Sequence, residues 1–292
     1  MQNVEIARRL EEVGDLLEAQ HANPFRVQAY RRAALGVGRS QKPLREIWLE
    51  QGEAGLRSVT GVGERLAIAL RTLITTGRLP MLDRLRGETD PVALLESVPG
   101  IGSALAERLY HDLGIDSLED LEAAAQDGRL ADIGGIGQKK LAGIIDTLAT
   151  RLGRLRQSGY PPERGQPPVD EVLDVDREYR EKAAADALPK ITPRRFNPKG
   201  ETWLPILHTH RGDRNYTALY SNTARAHELG RVRDWVVLYY DHGVDERQVT
   251  VITAHRGPLA GNRIVRGRED ECERYYGLDV RPSPEPASRP VA

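Results

Sequence analysis

The stretch Leu56–Ala67 reads LRSVTGVGERLA, and Leu95–Ala106 reads LESVPGIGSALA. The two agree at their leucine, valine, Gly-x-Gly and Leu-Ala positions. A third copy, Leu130–Gly137 (LADIGGIG), keeps the pattern as far as its last glycine, and then has Lys140 and Leu141 where the others have leucine and alanine. Because glycines punctuate helical sequence at the same offset each time, the repeat predicts three hairpins between short helices.

Each position of the repeat has a physical role. The first glycine permits a tight turn with positive φ, and the apolar residue after it is expected to fill the core between the two helices. The second glycine has no side chain, so backbone N–H groups at the start of the next helix can approach a phosphate oxygen. The pattern therefore predicts binding to the DNA backbone, with little reading of base sequence. The residues assigned to this role are Gly61, Val62, Gly63, Arg65, Gly100, Ile101, Gly102, Ser103, Gly135, Ile136, Gly137, Lys139 and Lys140.

Other interpretations stay open for the same residues. A Gly-x-Gly hairpin can simply connect two packed helices, although three copies with the same flanks argue against this for the set. Arg65, Lys139 and Lys140 fall in the first turn after a hairpin, where they either meet a phosphate or form ordinary solvated surface charge. A protein-interaction scaffold, in which the hairpins have packing roles alone, is the corresponding functional alternative.

The composition narrows the classes of protein. The 292 residues suffice for two or three domains, and the net charge of -1 means that attraction to nucleic acid must come from local geometry and clustered arginines. A single cysteine, Cys272, excludes an internal disulfide framework and a cysteine-based zinc site. The N-terminus is charged, and no apolar run approaches the roughly 18 residues of a membrane span. We expect a cytoplasmic, nucleoid-associated protein.

The pattern of the chain predicts a multi-domain protein: an all-α helix-hairpin-helix N-terminal half, followed by a small α+β domain with an antiparallel sheet. Apolar residues recur at helical spacing up to about residue 157. Four prolines and two glycines between Gly159 and Pro168 then predict a linker. The expected segments are a helical domain with the first hairpin (1–87), a second helical domain with the other two hairpins (88–157), a proline-rich linker (158–172), the α+β domain of unknown function (173–280) and a disordered tail (281–292).

Alternating apolar residues and turn signals define the α+β domain. The expected strands are 203–210, 216–221, 235–240 and 249–254, with a hairpin connection over 241–247. The expected helices lie near 174–187, 223–229 and 269–276.

Two candidate sites fall in this second half. His208 and His210 alternate along a predicted strand, so both rings project from one face and form a candidate divalent metal site, although surface or hydrogen-bonded histidines are the commoner case. Arg211, Arg225 and Arg268 form a candidate anion site, for instance for a DNA end phosphate. Capping and surface charge are the alternative explanation for these arginines.

The first half of the chain resembles the lyase-like and fingers domains of family X DNA polymerases. The resemblance rests on six stretches, which are Asn23–Ala33, the first hairpin with Thr76–Leu79, Val98–Gly102, Leu109–Tyr110, Leu113–Leu121 and Gly128–Leu130. It implies that 1–87 is lyase-like and 88–157 fingers-like, and that the first two hairpins grip DNA on either side of a gap. It also implies that Na⁺ or K⁺ binds hairpin carbonyls, which by position belong to Arg57, Val59, Val62, Glu96, Val98 and Ile101.

The chain departs from that family at its catalytic positions. The lysine that forms a Schiff base in the lyase reaction corresponds here to Ala69. The polymerase palm, with its Gly-Ser loop and Asp-x-Asp strand, has no counterpart; Asp174-x-Asp176 is the sole Asp-x-Asp, and Arg177–Arg180 after it is typical of a helix surface.

These features together predict sequence-independent DNA backbone binding in repair, at gapped, nicked or end-containing duplex, without polymerase or Schiff-base lyase activity. The alternative is a metal-dependent nuclease or phosphoesterase carried by the C-terminal domain.

Overall fold

The computed structural model describes residues 1–88, 91–130, 133–152, 166–242 and 245–278. It has the predicted class, since helices occupy the N-terminal half and an antiparallel sheet with flanking helices follows. We call residues 1–88 module 1, residues 91–152 module 2 and residues 166–278 the sheet domain. Within the described ranges, no helix is long and apolar enough to cross a membrane.

Module 1 is a bundle around one buried core. Its first helix presents Ile6, Leu10, Val13 and Leu17 as a single buried stripe, as an amphipathic helix does. The side chain of Asn23 caps the second helix by accepting a hydrogen bond from Phe25 N at 2.9 Å. The helices are α1 (Asn3–Ala19), α2 (Pro24–Arg39), α3 (Leu44–Arg57), α4 (Glu64–Thr76) and α5 (Pro80–Arg86).

Asn3 plays a different part from the one that its position suggests. It precedes an apolar helical pattern and so looks like a cap for α1, but the capping position belongs to Gln2. Asn3 Oδ1 instead accepts a hydrogen bond from Leu44 N at 2.9 Å, at the first residue of α3. It therefore ties two helices together, which local sequence cannot reveal.

Module 2 has a separate core, formed by apolar residues between Leu95 and Leu152. Ser117 caps the third of its helices by accepting a hydrogen bond from Asp120 N at 3.1 Å. The helices are α6 (Pro91–Glu96), α7 (Ser103–Leu113), α8 (Leu118–Gln126) and α9 (Gln138–Arg151).

In the part of the chain that the structure describes, the sheet domain contains six strands in sequential order, each antiparallel to the next. One face of the sheet packs against its own first and last helices. On the other face, Ile206 joins the core of module 1, together with Ile191 and Leu204. The elements are α10 (Val169–Ala184), β1 (Lys190–Ile191), β2 (Leu204–Arg211), β3 (Arg214–Tyr220), α11 (Ala224–Glu228), β4 (Val236–His242), β5 (Asp245–Thr253), β6 (Arg263–Val265) and α12 (Glu269–Tyr275).

The sheet domain differs from the sequence-based expectation in three respects, apart from shifts of one to three residues at other element ends. The helix expected near 174 starts at Val169 after Pro168, so the end of the predicted linker is helical. β1 and β6 were not predicted, because two or three residues are too few to show an alternating pattern. The predicted connection 241–247 is largely strand, since Asp241 pairs with Glu246 and His242 with Asp245. The segment is polar in sequence and therefore lacks the alternation of apolar residues from which a strand is predicted.

The predicted exposed surface after Asp176 is also wrong in part. Tyr179 is fully buried, and its hydroxyl donates to Pro205 O at 3.0 Å. The carboxylate of Asp176 is likewise buried and accepts hydrogen bonds from Arg263. The segments 153–165 and 279–292, which include most of the predicted linker and the whole predicted tail, lie outside the described residues.

Candidate nucleic-acid interface

The three repeats form hairpins with the same backbone. The first glycine has a φ of +80° at Gly61, +92° at Gly100 and +95° at Gly135, a region that glycine adopts without a Cβ penalty. The next residue donates its N–H to the carbonyl three residues earlier in each copy, at 3.0, 3.0 and 3.3 Å. The repeated sequence therefore specifies a repeated turn.

The apolar residue of each hairpin is a core residue, as the pattern predicts. Val62, Ile101 and Ile136 are 6%, 4% and 8% exposed, respectively. The small residue four positions after the second glycine, Ala67 or Ala106, is fully buried in the first two copies. These contacts hold the two helices of each hairpin together.

The second glycine of each hairpin faces open space. Gly63 and Gly102 are the N-caps of α4 and α7 with extended backbone, and Gly137 directly precedes α9. A Cβ built on any of the three would meet no atom of the described residues within 4 Å. The first N–H groups of a helix have no partner within that helix, and they carry its partial positive charge. Each hairpin thus places the start of a helix beside space that no atom of the described residues fills around the second glycine.

The first hairpin rests on the backbone of α2. A Cβ on Gly36 would lie 1.7 Å from Thr60 O, and one on Gly61 would lie 2.7 Å from Arg32 O. The hairpin and this helix therefore approach more closely than any side chain would allow.

The second and third hairpins are neighbours. A Cβ on Gly100 would lie 3.5 Å from Lys140 Cγ, so the stem of this lysine crosses from the third hairpin to the second. Arg108 Nη1 donates to Gly134 O at 2.9 Å, which ties α7 to the third hairpin. Arg108 was not predicted as a site residue, because its partner is distant in sequence.

Polar side chains surround the hairpins on the exposed side. Arg65, Ser103, Lys139 and Lys140 are all exposed, at the start of the helix that follows each hairpin. Their positions are compatible with contact to a phosphate, which for these side chains remains a prediction.

The carbonyls that the family resemblance assigns to a monovalent cation lie at equivalent places in two hairpins. Arg57 and Glu96 are the last residues of α3 and α6, where a helix leaves carbonyls unpaired and favours positive charge. Val59 O and Val98 O each accept one hydrogen bond within the turn, and a carbonyl has a second lone pair. The donor set suits Na⁺ or K⁺, and binding remains a prediction.

The histidine pair does not have the surroundings of a metal site. His208 Nδ1 and Nε2 lie 3.0 Å from Thr217 Oγ1 and Gln20 Oε1, so both ring nitrogens are engaged, whereas His210 is exposed. Within the described ranges, no group of three or more His, Cys, Asp or Glu side chains is arranged to hold a metal ion. Burial lowers the pKa of His208 to about 3, with the charges of nearby arginines adding to the shift.

The three arginines of the candidate anion site each have their own carboxylate. Arg211 binds Asp174 and Glu178 at 2.7 and 2.8 Å, in a link between β2 and α10. Arg225 is 3.3 Å from Glu228 in the same short helix. Arg268 is buried against Glu271 and also donates to Pro167 O at 2.9 Å. These contacts correspond to ion pairing within the domain, and a shared anion site at the three arginines remains a prediction.

The positions that correspond to catalytic residues in family X polymerases have structural surroundings. Ala69 is half-buried against the core of module 1. Asp174 and Asp176 lie on α10 and form ion pairs with different arginines, Asp174 with Arg211 and Asp176 with Arg263.

Comparisons with known proteins agree with this geometry. Residues 1–79 match the model of a helix-hairpin-helix domain, and residues 92–150 match that of a SAM-like helix-hairpin-helix tandem. The chain is 27% identical over 182 residues to the DNA polymerase/3'-5' exonuclease PolX of Bacillus subtilis (strain 168), in an alignment that covers 62% of this chain and 29% of PolX. The chain therefore spans less than a third of the length of that relative.

A second similarity is to the nucleoid-associated protein EspR of Mycobacterium tuberculosis, in strains CDC 1551 / Oshkosh and ATCC 25618 / H37Rv. It is 29% identical over 135 residues, which cover 46% of this chain and 98% of EspR. The chain thus contains helix-hairpin-helix domains and is similar over part of its length to part of a family X DNA polymerase.

Proposed function

We propose that this helix-hairpin-helix protein binds the sugar-phosphate backbone of DNA through its three hairpins, without reading base sequence. The observation that carries the proposal is the open space above Gly63, Gly102 and Gly137, at the start of the helix that follows each hairpin. Helix N-termini of this kind are suited to phosphate oxygens. The matched domain models and the similarity to PolX and to EspR support the same role.

We further propose that the DNA is gapped, nicked or end-containing duplex, and that the protein acts in repair in association with the nucleoid. Two modules with hairpins in one chain suit a substrate with two duplex segments, because each module can grip one segment. The similar proteins support these settings, since PolX is a DNA polymerase/3'-5' exonuclease and EspR is a nucleoid-associated protein.

The protein is proposed to act without polymerase or Schiff-base lyase chemistry. Ala69 offers no amine to an abasic sugar, and a Schiff base requires one. Asp174 and Asp176 form ion pairs with arginines, and these ion pairs compete with the binding of a pair of metal ions. No observation in the described residues favours the metal-dependent nuclease or phosphoesterase.

Binding measured as a function of salt tests the proposal. The protein is titrated onto a gapped duplex and onto the same duplex without a gap, at several salt concentrations. Each phosphate contact is expected to add about -0.7 to -0.9 to the slope of log K against log salt, because the contact releases condensed counterions. No binding at low salt, or a flat slope, would contradict backbone binding; equal affinity for both DNAs would contradict the preference for gaps.

A charge placed at the second glycine supplies the matched variants. Gly63→Glu and Gly102→Glu fit the open space, so the fold is expected to persist while each added carboxylate repels a phosphate. Gly114→Glu is unsuitable as a control because of its positive φ, whereas Ala123→Glu changes an exposed residue of α8 away from the hairpins. A protein whose hairpins have packing roles alone would bind DNA equally well with Gly63→Glu, Gly102→Glu and Ala123→Glu.

A further inference from the structure

A cavity lies beside the second hairpin, where the two modules and the sheet domain meet. Its volume is about 440 Å³, within the range of sites for small organic molecules. Thr72 and Thr76 of module 1 contribute to one wall, and Tyr239 and Gln248 of the sheet domain to another. Gly102 of module 2 both lines the cavity and is exposed to solvent, so the hairpin lies at the opening.

The lining combines apolar side chains with charged, hydroxyl and amide groups. Pro80, Leu94, Ile101 and Leu118 supply hydrocarbon surface, and the amide of Gln248 is a hydrogen-bonding group among them. A nucleic acid base has the same character, with apolar faces and polar edges.

The charges along the cavity balance. Arg78 is paired with Asp83 at 2.8 Å, and Arg84 is paired with Glu246. Glu96 and Arg247 add one further charge of each sign. The interior therefore suits a neutral group better than a phosphate, whereas the N–H groups at the opening suit a phosphate.

Arg84, which lines the cavity, provides a second observation in favour of a bound ligand there. It is 6% exposed, and its guanidinium lies 3.8 Å from the centroid of the Tyr239 ring. Its Nε has no hydrogen-bond partner among the described residues, although a buried donor normally has one. Guanidinium planes and aromatic rings are the groups on which proteins stack bases.

We propose that this cavity receives the base of an unpaired nucleotide whose phosphate is held by the hairpin Gly100–Gly102. The proposal rests on the proposed backbone binding at this hairpin. An unpaired nucleotide is the natural occupant, because moving a base out of a duplex costs least when it has no partner. The protein then recognises a defect in the duplex directly, through the displaced base.

The test compares two DNAs that differ by one nucleotide. One is a fully paired duplex, and the other carries a single unpaired adenine at its centre. We expect the wild type to bind the bulged duplex on the order of tenfold more tightly, the size of effect that one enclosed base gives. Affinity for the paired duplex reports backbone binding separately, so a failure of the proposed function shows there as lost binding to both DNAs.

Filling the cavity from either module tests where the preference arises. Ala93→Phe fills it from α6, and Ala123→Phe, on an exposed face of α8 outside the cavity, is its control. Thr76→Trp fills it from α4, and the adjacent Thr75→Trp is its control; both threonine hydroxyls bond the carbonyl four residues earlier. Thermal unfolding identifies any variant that fails to fold. If one of the two filled variants does not fold, the proposal is tested with the other, which fills the cavity from the opposite wall.

We expect both filled variants to bind the two DNAs equally, while both controls keep the preference for the bulge. A filled, folded variant that retains the preference would overturn the proposal, as would a wild type with salt-dependent binding but no preference. Free deoxyadenosine monophosphate distinguishes the source of the base. Binding of this nucleotide that Ala93→Phe abolishes, with no preference for the bulge, would assign the cavity to a free nucleotide and overturn the assignment to a DNA strand.

Discussion

Modules 1 and 2 share the hairpin pattern but join the sheet domain by different physical means. The core of module 1 continues into the sheet domain through Leu204 and Ile206, so apolar burial unites the two. The core of module 2, within the described residues, is formed by that module alone. Its link to the sheet domain includes Asp116, which accepts hydrogen bonds from Arg195 Nη2 at 2.9 Å and from Ala224 N at 2.7 Å.

The difference has consequences for how the modules respond to change. An apolar junction tolerates salt and depends on shape, whereas a buried carboxylate depends on both of its partners remaining in place. The sheet domain therefore joins module 1 through a shared apolar core, beside the Arg84–Glu246 ion pair, and joins module 2 through a charged contact. We therefore expect the sheet domain to hold the first hairpin at a defined distance from the other two.

The largest expected effect is at the apolar junction. Ile206→Ala is expected to lower the free energy of unfolding by about 4 kcal/mol, because it removes a fully buried side chain and leaves a cavity. Hydrogen exchange should show the loss of protection in module 1 as well as in the sheet. Leu207→Ala, on the opposite face of β2, is the control and should leave module 1 protected; a similar loss of protection there would contradict a shared core.

The charged junction should respond next. Asp116→Ala is expected to cost about 3 kcal/mol, because the carboxylate is 1% exposed and its loss leaves Arg195 and the start of α11 without their acceptor. Denaturant unfolding measures the change. Asp112→Ala removes a carboxylate that is 64% exposed and should change stability by less than about 0.5 kcal/mol. Equal effects of the two substitutions would show that Asp116 contributes no more to stability than an exposed carboxylate does.

A smaller difference in stability is expected between substitutions in the hairpins of the two modules. Alanine at Gly61 and at Gly100 suffers the same strain from a positive φ, but at Gly61 its Cβ also meets Arg32 O at 2.7 Å. We expect Gly61→Ala to cost about 2 kcal/mol more than Gly100→Ala. At Gly100 the nearest atom is the flexible stem of Lys140 at 3.5 Å, which can move. Thermal unfolding of the two variants side by side measures the difference.

The smallest effect concerns pH at the junction of module 1 with the sheet domain. The pKa of His208 is about 3 in the folded protein, chiefly because of burial, and it is about 6.5 in an unfolded chain. Below pH 6.5 the unfolded chain therefore binds a proton that the folded protein excludes, so stability falls as the pH falls from 6.5 towards 3.

At pH 5.5 this histidine is expected to cost about 1.4 kcal/mol relative to pH 8. The measurement compares unfolding at the two pH values for wild type, His208→Gln and His210→Gln. The first variant should lose this part of the pH dependence, and the second, exposed on the same strand, should keep it. An unchanged pH dependence of stability in His208→Gln would show that the folded protein does not lower the pKa of His208.

The sequence by itself determined the local structures. The Gly-x-Gly repeat specified turn conformation, buried apolar residue and helix start in all three copies, because φ, side-chain size and polarity act within a few residues. The main strands were likewise predictable from their alternating pattern. The short β1 and β6 were not, since pairing with longer neighbours stabilises them.

Tertiary structure alone decided which of these parts meet. Asn3 caps a different helix, His208 contacts Gln20 across a domain junction, and the arginines of the predicted anion site bind separate carboxylates. The cavity beside the second hairpin combines Thr76, Ser103 and Gln248, which lie far apart along the chain. Such sites depend on the relative placement of modules, which is set by long-range packing and therefore leaves no periodic signal in the sequence.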